Sequence, residues 1–66
     1  MGKIILDVKG MTCHHCVHAV TMAIQSVDGT DDINVDLQSG KAEFFLEDED
    51  DLEQVKQAIR EAGYQV

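Results

Sequence analysis

Ile4, Leu6 and Val8 alternate with Ile5, Asp7 and Lys9 along the start of the chain. A period of two is that of a strand with one buried face, so a first strand is expected, punctuated by Gly10. Val17, Val20, Ile24 and Val27 then recur at spacings of three, four and three, with Ala19 and Ala23 beside them. That stripe predicts a helix over about residues 15–27, with its N-cap at or near Thr12 and Gly29 as the glycine just past its end. A second strand follows, with Ile33, Val35 and Leu37 inward and Asn34 and Asp36 outward. Ser39-Gly40 signals a tight turn into a third strand with Ala42, Phe44 and Leu46 on one face, so a hairpin is expected. Phe45 falls on the outer face as a lone exposed aromatic. Leu52, Val55, Ile59 and Ala62 predict a second helix over about residues 51–62, ended by Gly63. Tyr64 to Val66 resume an extended pattern.

The order is strand, helix, strand, strand, helix, strand. Each helix has one apolar stripe and each central strand one apolar face. This predicts an α+β fold of the ferredoxin-like βαββαβ type, a four-stranded antiparallel sheet with two helices on one face. The last strand is very short, which makes one sheet edge weak.

Size narrows the picture. Sixty-six residues allow one domain, spanning 1–66, and leave no room for an enclosed cofactor cavity. Thirteen acidic residues against five basic ones give a net charge of −8. Nucleic acid and anionic membranes both reward clustered Lys and Arg, so neither is an expected partner. Lys3, Lys9 and Lys41 are too few to form a basic patch, and a partner with a basic face is favoured instead. No apolar run approaches the ~20 residues needed to cross a bilayer, and residues 1–10 do not read as a secretory signal. The chain is therefore expected in the cytoplasm, either free-standing or as a module of a larger protein. Six of the seven residues from Glu47 to Glu53 are acidic, which fits a solvated loop and the first turn of a helix, where carboxylates meet the positive dipole end.

The strongest chemical signal is Cys13-His14-His15-Cys16, at a strand-to-helix junction. Cys13 is expected in the loop and Cys16 in the first helical turn, with both sulfurs on one side. Unpaired N–H groups and the dipole at a helix N-terminus favour thiolate, the form that binds metals or attacks disulfides. Structural zinc usually takes four protein ligands and catalytic zinc three. His18 lies roughly 200° round the helix from Cys16 and points away. His14 and His15 are expected to face water. Two soft sulfurs without a committed third ligand suit Cu(I). An open loop also lets a second pair of cysteines attack the metal and take it. A Cys-x-x-Cys pair also serves dithiol redox sites. Here the short chain, the absence of proline and the intervening His14-His15 weigh against that reading, and no enzyme activity is expected. Two ordinary buried cysteines are the remaining alternative.

The segment Gly10-Met11-Thr12-Cys13-His14-His15-Cys16, the apolar helix after it, Gly29, the Ser39-Gly40 turn and the closing Gly63-Tyr64 together resemble the heavy-metal-associated domain family. Within that family the chain is most similar to small bacterial cytosolic copper chaperones, which hand Cu(I) to P-type copper ATPases. The resemblance implies Cu(I) as the bound metal, Cys13 and Cys16 as its ligands, and the metal-binding domain of a P-type copper ATPase as partner. It implies a monomer, with a metal-bridged dimer open. Met11 matches the motif methionine packed beneath the loop. Tyr64 matches the position behind the loop where bacterial chaperones carry Tyr, with a supporting role beside the metal. His15, directly before Cys16, is placed to tune the thiolate or to join a bridged dimer. Thr12 stands where copper-type members carry a similar residue and zinc-type members an acidic one. The same module occurs as N-terminal domains of heavy-metal ATPases and in mercury- and zinc-binding relatives, so those readings stay open.

Overall fold

The computed structural model describes residues 2–66, and its elements follow the apolar periods closely. They run β1 (Gly2–Asp7), α1 (His14–Gln25), β2 (Thr30–Asp36), β3 (Lys41–Leu46), a 3-10 turn over Glu49–Asp51, and α2 (Leu52–Glu61). The hairpin partner β3 occupies the middle of an antiparallel sheet ordered β1-β3-β2. Ile4 faces Phe44 and Leu6 faces Ala42 across one ladder, while Val35 faces Ala42 across the other. Ala42, Phe44 and Leu46 alternate onto one face of β3 and are all but fully buried. They share one apolar cluster with Val20 and Ile24 of α1 and Val55 and Ile59 of α2. Both helices therefore cover that single face, as the apolar stripes require. No side chain in this core is polar or charged among the described residues.

The sheet departs from expectation at its edge. It has three strands rather than four among the described residues, and the predicted last strand is reduced to one bridge between Lys9 and Gln65. The physical reason is that the Tyr64 N–H turns back to the Ile59 carbonyl to close α2, which leaves only Gln65 to pair with Lys9. The Lys9 N–H donates to the Gln65 carbonyl at 2.7 Å and the Gln65 N–H donates back at 3.1 Å.

Other differences are local. Helix α1 starts at His14 and stops at Gln25, with Ser26 as C-cap, so Gly29 lies beyond the helix end in the turn entering β2. The Thr30 hydroxyl donates to the Ile24 and Val27 carbonyls at 3.1 and 3.0 Å, tying the end of α1 to the start of β2; the Ile24 carbonyl also accepts the Val27 N–H at 3.1 Å. The connection between β2 and β3 is a four-residue turn over 37–40, wider than the predicted two-residue one, and Leu37 sits in it, half-buried. Pairing slips between Asp31 and Asn34, where Asp32 adopts φ 50°. Ala62 caps α2 and is exposed, while Ala58 packs against the core in its place.

The acidic run behaves as charge at a helix start should. The Asp48 carboxylate accepts the Asp50 N–H at 3.1 Å, and the residues around it face solvent. On the outer sheet face Lys3 pairs with Glu43 at 2.8 Å and Lys41 with Asp7 at 3.6 Å. Ile5 and Phe45 are exposed there. No helix among the described residues is long and apolar enough to cross a membrane.

Candidate metal site

Cys13 stands at the hinge between loop and helix. Its backbone is extended, with φ −157° and ψ 173°, and its carbonyl accepts the Cys16 N–H at 3.0 Å and the Val17 N–H at 3.3 Å. Cys13, not Thr12, is thus the N-cap residue, and its side chain makes no capping bond. That leaves its sulfur free to turn toward Cys16, three residues on and one turn into the helix. The two Sγ atoms are 3.7 Å apart. Both thiols are free, Cys13 exposed and Cys16 half-buried. Their separation is less than twice the ~2.3 Å of a metal–thiolate bond, so one ion can touch both.

Thr12 does a different job from the one its sequence position suggested. Its hydroxyl lies 3.8 Å from the Cys16 sulfur. A backbone hydrogen bond from Thr12 is also the main cause that pulls the Cys16 pKa from the ordinary 9.0 down to about 6. The Tyr64 hydroxyl is the next cause; partial burial opposes both. Donors aimed at a sulfur favour its anion, so at neutral pH Cys16 is a thiolate. The same bond raises the Tyr64 pKa, because the phenol keeps its proton to share it.

Tyr64 reaches this position through the end of α2. Gly63, at φ +101°, follows the Ala62 cap. The Gly63 N–H donates to the Arg60 carbonyl at 3.0 Å and the Tyr64 N–H to the Ile59 carbonyl at 3.3 Å. These two bonds are the Schellman pattern. The reversal brings the Tyr64 ring to Gly10, where a Cβ would lie 3.5 Å from Cδ1. So two glycines, at opposite ends of the chain, frame the phenol that holds the Cys16 sulfur.

Met11 is half-buried and packs against the core beneath the loop, as expected. His14, His15 and His18 are all exposed. Among the described residues no three His, Cys, Asp or Glu side chains converge on one point. What the structure brings together is two sulfurs, Thr12 and Tyr64, with the histidines outside. The Thr12 backbone contribution carried no sequence signal beyond its place in the motif.

A small antiparallel sheet under two helices, with two free thiols at a helix tip, is the architecture of a soft-metal carrier domain. The heavy-metal-associated domain profile matches residues 5–65, and the chain belongs to that family. The copper chaperone CopZ of Staphylococcus saprophyticus is 39% identical over 67 residues, covering 100% of this chain and 98% of that one. The structure of a CopZ metallochaperone superposes with a TM-score of 0.87 at 36% identity, covering 97% of each chain. A copper-binding domain from a P-type ATPase superposes with a TM-score of 0.85 at 32% identity, covering 98% of this chain and 89% of that one.

Proposed function

We propose that this protein is a single-domain copper chaperone of the cytoplasm. Cys13 and Cys16 hold one Cu(I) between their thiolates and pass it to a P-type copper ATPase through a cysteine pair on the ATPase's metal-binding domain. The observation that carries the reading is the pair of free thiols 3.7 Å apart at the tip of α1, one of them exposed. Soft sulfur donors in low number match a monovalent soft ion better than zinc, which normally recruits four ligands. Exposure of Cys13 lets an incoming thiolate reach the ion. The partner's sulfur bonds to the metal as one Cys–metal bond lengthens, so the metal is never bare and no electron moves. Tyr64 and Met11 position the loop from behind, and His15 flanks Cys16 on the open side. The net charge of −8 suits a basic docking face on the partner. Relatives named copper chaperone CopZ, matched over the full length of this chain, support the reading.

Anaerobic titration of the reduced protein with Cu(I), against a competing chelator, tests it. One copper per chain is expected, and Cys13→Ser or Cys16→Ser should each lose binding. Retention of full affinity by either variant would rule out the two-thiolate site. A second reading, the same module as the metal-binding domain of a transport ATPase, is favoured by the ATPase domain that this fold superposes on. An open reading frame that continues past Val66 into membrane helices would decide for it.

A further inference from the structure

The outward face of α1 carries chemistry that the thiol pair does not use. His14 and His18 are four residues apart on a continuous helix over His14–Gln25. At about 100° per residue they stand only about 40° apart round its axis. Side chains at this spacing are neighbours, with Cβ atoms about 5–6 Å apart, and each leans toward the helix start, so His18 reaches back over His14. Both are exposed, and neither is held by a hydrogen bond or ion pair among the described residues. The buried face of α1 is marked by Val20 and Ile24, which stand about 80–160° round the axis from the two histidines. Cys16 is about 200° from His18, so the imidazoles and the Cys16 sulfur diverge.

The geometry points to a second metal site, formed by His14 and His18, that chelates a divalent transition ion through two imidazole nitrogens. Neutral imidazole is a borderline ligand that suits Cu(II), Ni(II) and Zn(II) rather than the soft monovalent ion of a dithiolate. Both rings can rotate to bring nitrogens to the ~2.0–2.1 Å that such ions require. With two protein ligands, the other coordination positions go to water, and the site is weak and readily reversible. Met22, 53% exposed, continues the same face. Its thioether is a poor donor for a divalent ion and takes no part. His15 stands about 60° from His18, on the opposite flank from His14, so the two rings nearest each other round the axis are His14 and His18.

Ni(II) is the probe, titrated into Cys13→Ser/Cys16→Ser protein so that the thiols make no contribution. The broadening of the His14 and His18 ring resonances is followed by NMR. Saturable broadening of these two is expected, with the neighbouring His15 ring affected through space. His14→Ala and His18→Ala should each weaken Ni(II) binding at least about tenfold, because the second imidazole no longer binds within the same molecule. His15→Ala and Met22→Leu should leave it unchanged. Wild-type protein alkylated at both cysteines gives the same readout if the double variant does not fold. Unchanged Ni(II) affinity in His14→Ala or in His18→Ala, or greater loss with His15→Ala than with His14→Ala, overturns the proposal. The test involves neither Cu(I) nor the thiols, so its failure is separate from failure of the chaperone reading.

Discussion

Removing one oxygen from Tyr64 should change the acidity of a sulfur on another element. In Tyr64→Phe the ring still packs against Gly10, but the hydroxyl that donates to the Cys16 sulfur is gone. With its pKa lowered to about 6, Cys16 is about 90% thiolate at pH 7. A thiol at the ordinary 9.0 would be about 1% ionised there. Lower basicity also makes each thiolate a weaker nucleophile, with a Brønsted slope of about 0.4–0.5, so three units cost about 20-fold per anion. The net gain in rate at pH 7 is only several-fold, and the midpoint of the pH profile is the sharper measure. Reduced, metal-free protein is alkylated with iodoacetamide from pH 4 to 10, and tandem mass spectrometry follows modification at Cys16. The wild-type midpoint should fall near 6. In Tyr64→Phe it should rise but stay below 9.0, because the larger contribution, the backbone bond from Thr12, survives. An unmoved midpoint would remove Tyr64 from the account. A midpoint at 9.0 would mean that the backbone donors count for nothing.

Cys16 also ties stability to pH. Its folded pKa lies below its ordinary value, so its contribution is complete above pH 9 and is lost as pH falls through about 6. The melting temperature of the reduced, metal-free protein should therefore rise relative to Cys16→Ser between pH 6 and 9; parallel curves for the two proteins would refute this. In the core, Phe44 is 1% exposed on the central strand. Phe44→Ala should cost about 3–5 kcal/mol, a large part of the roughly 3–10 kcal/mol that a chain of this size commands. Urea denaturation followed by circular dichroism should show a collapsed midpoint or no folded baseline. A loss below ~1 kcal/mol would mean that the site repacks.

The helices and the inner strands were legible because their apolar residues keep strict periods. Val20, Ile24, Val55 and Ile59 are the stripes, and all four are fully buried. The sulfur pair was legible from spacing and from its place after a strand. What stayed hidden depends on angles rather than residue types. The slip between Asp31 and Asn34 leaves Ile33 and Val35 in phase, so their alternation shows nothing of it. Thr12 is a good capping residue by type, yet the chain turns one residue later and its hydroxyl meets Cys16 instead. Gly63 announced the end of α2. That this ending would aim Tyr64 at Cys16 follows only from the two hydrogen bonds that close the helix.

The reduced last strand has a kinetic consequence. Past Tyr64 the chain is held by the Lys9–Gln65 bridge and by Val66, which is half-buried against the core. A segment with one bridge and one apolar anchor opens more often than the whole domain unfolds. An opening that also broke the Tyr64 N–H bond to the Ile59 carbonyl would take the phenol from the Cys16 sulfur and leave that sulfur more basic. Lengthening that ladder by even one residue pair should make such openings rarer and hold the Cys16 sulfur in its more acidic state for longer.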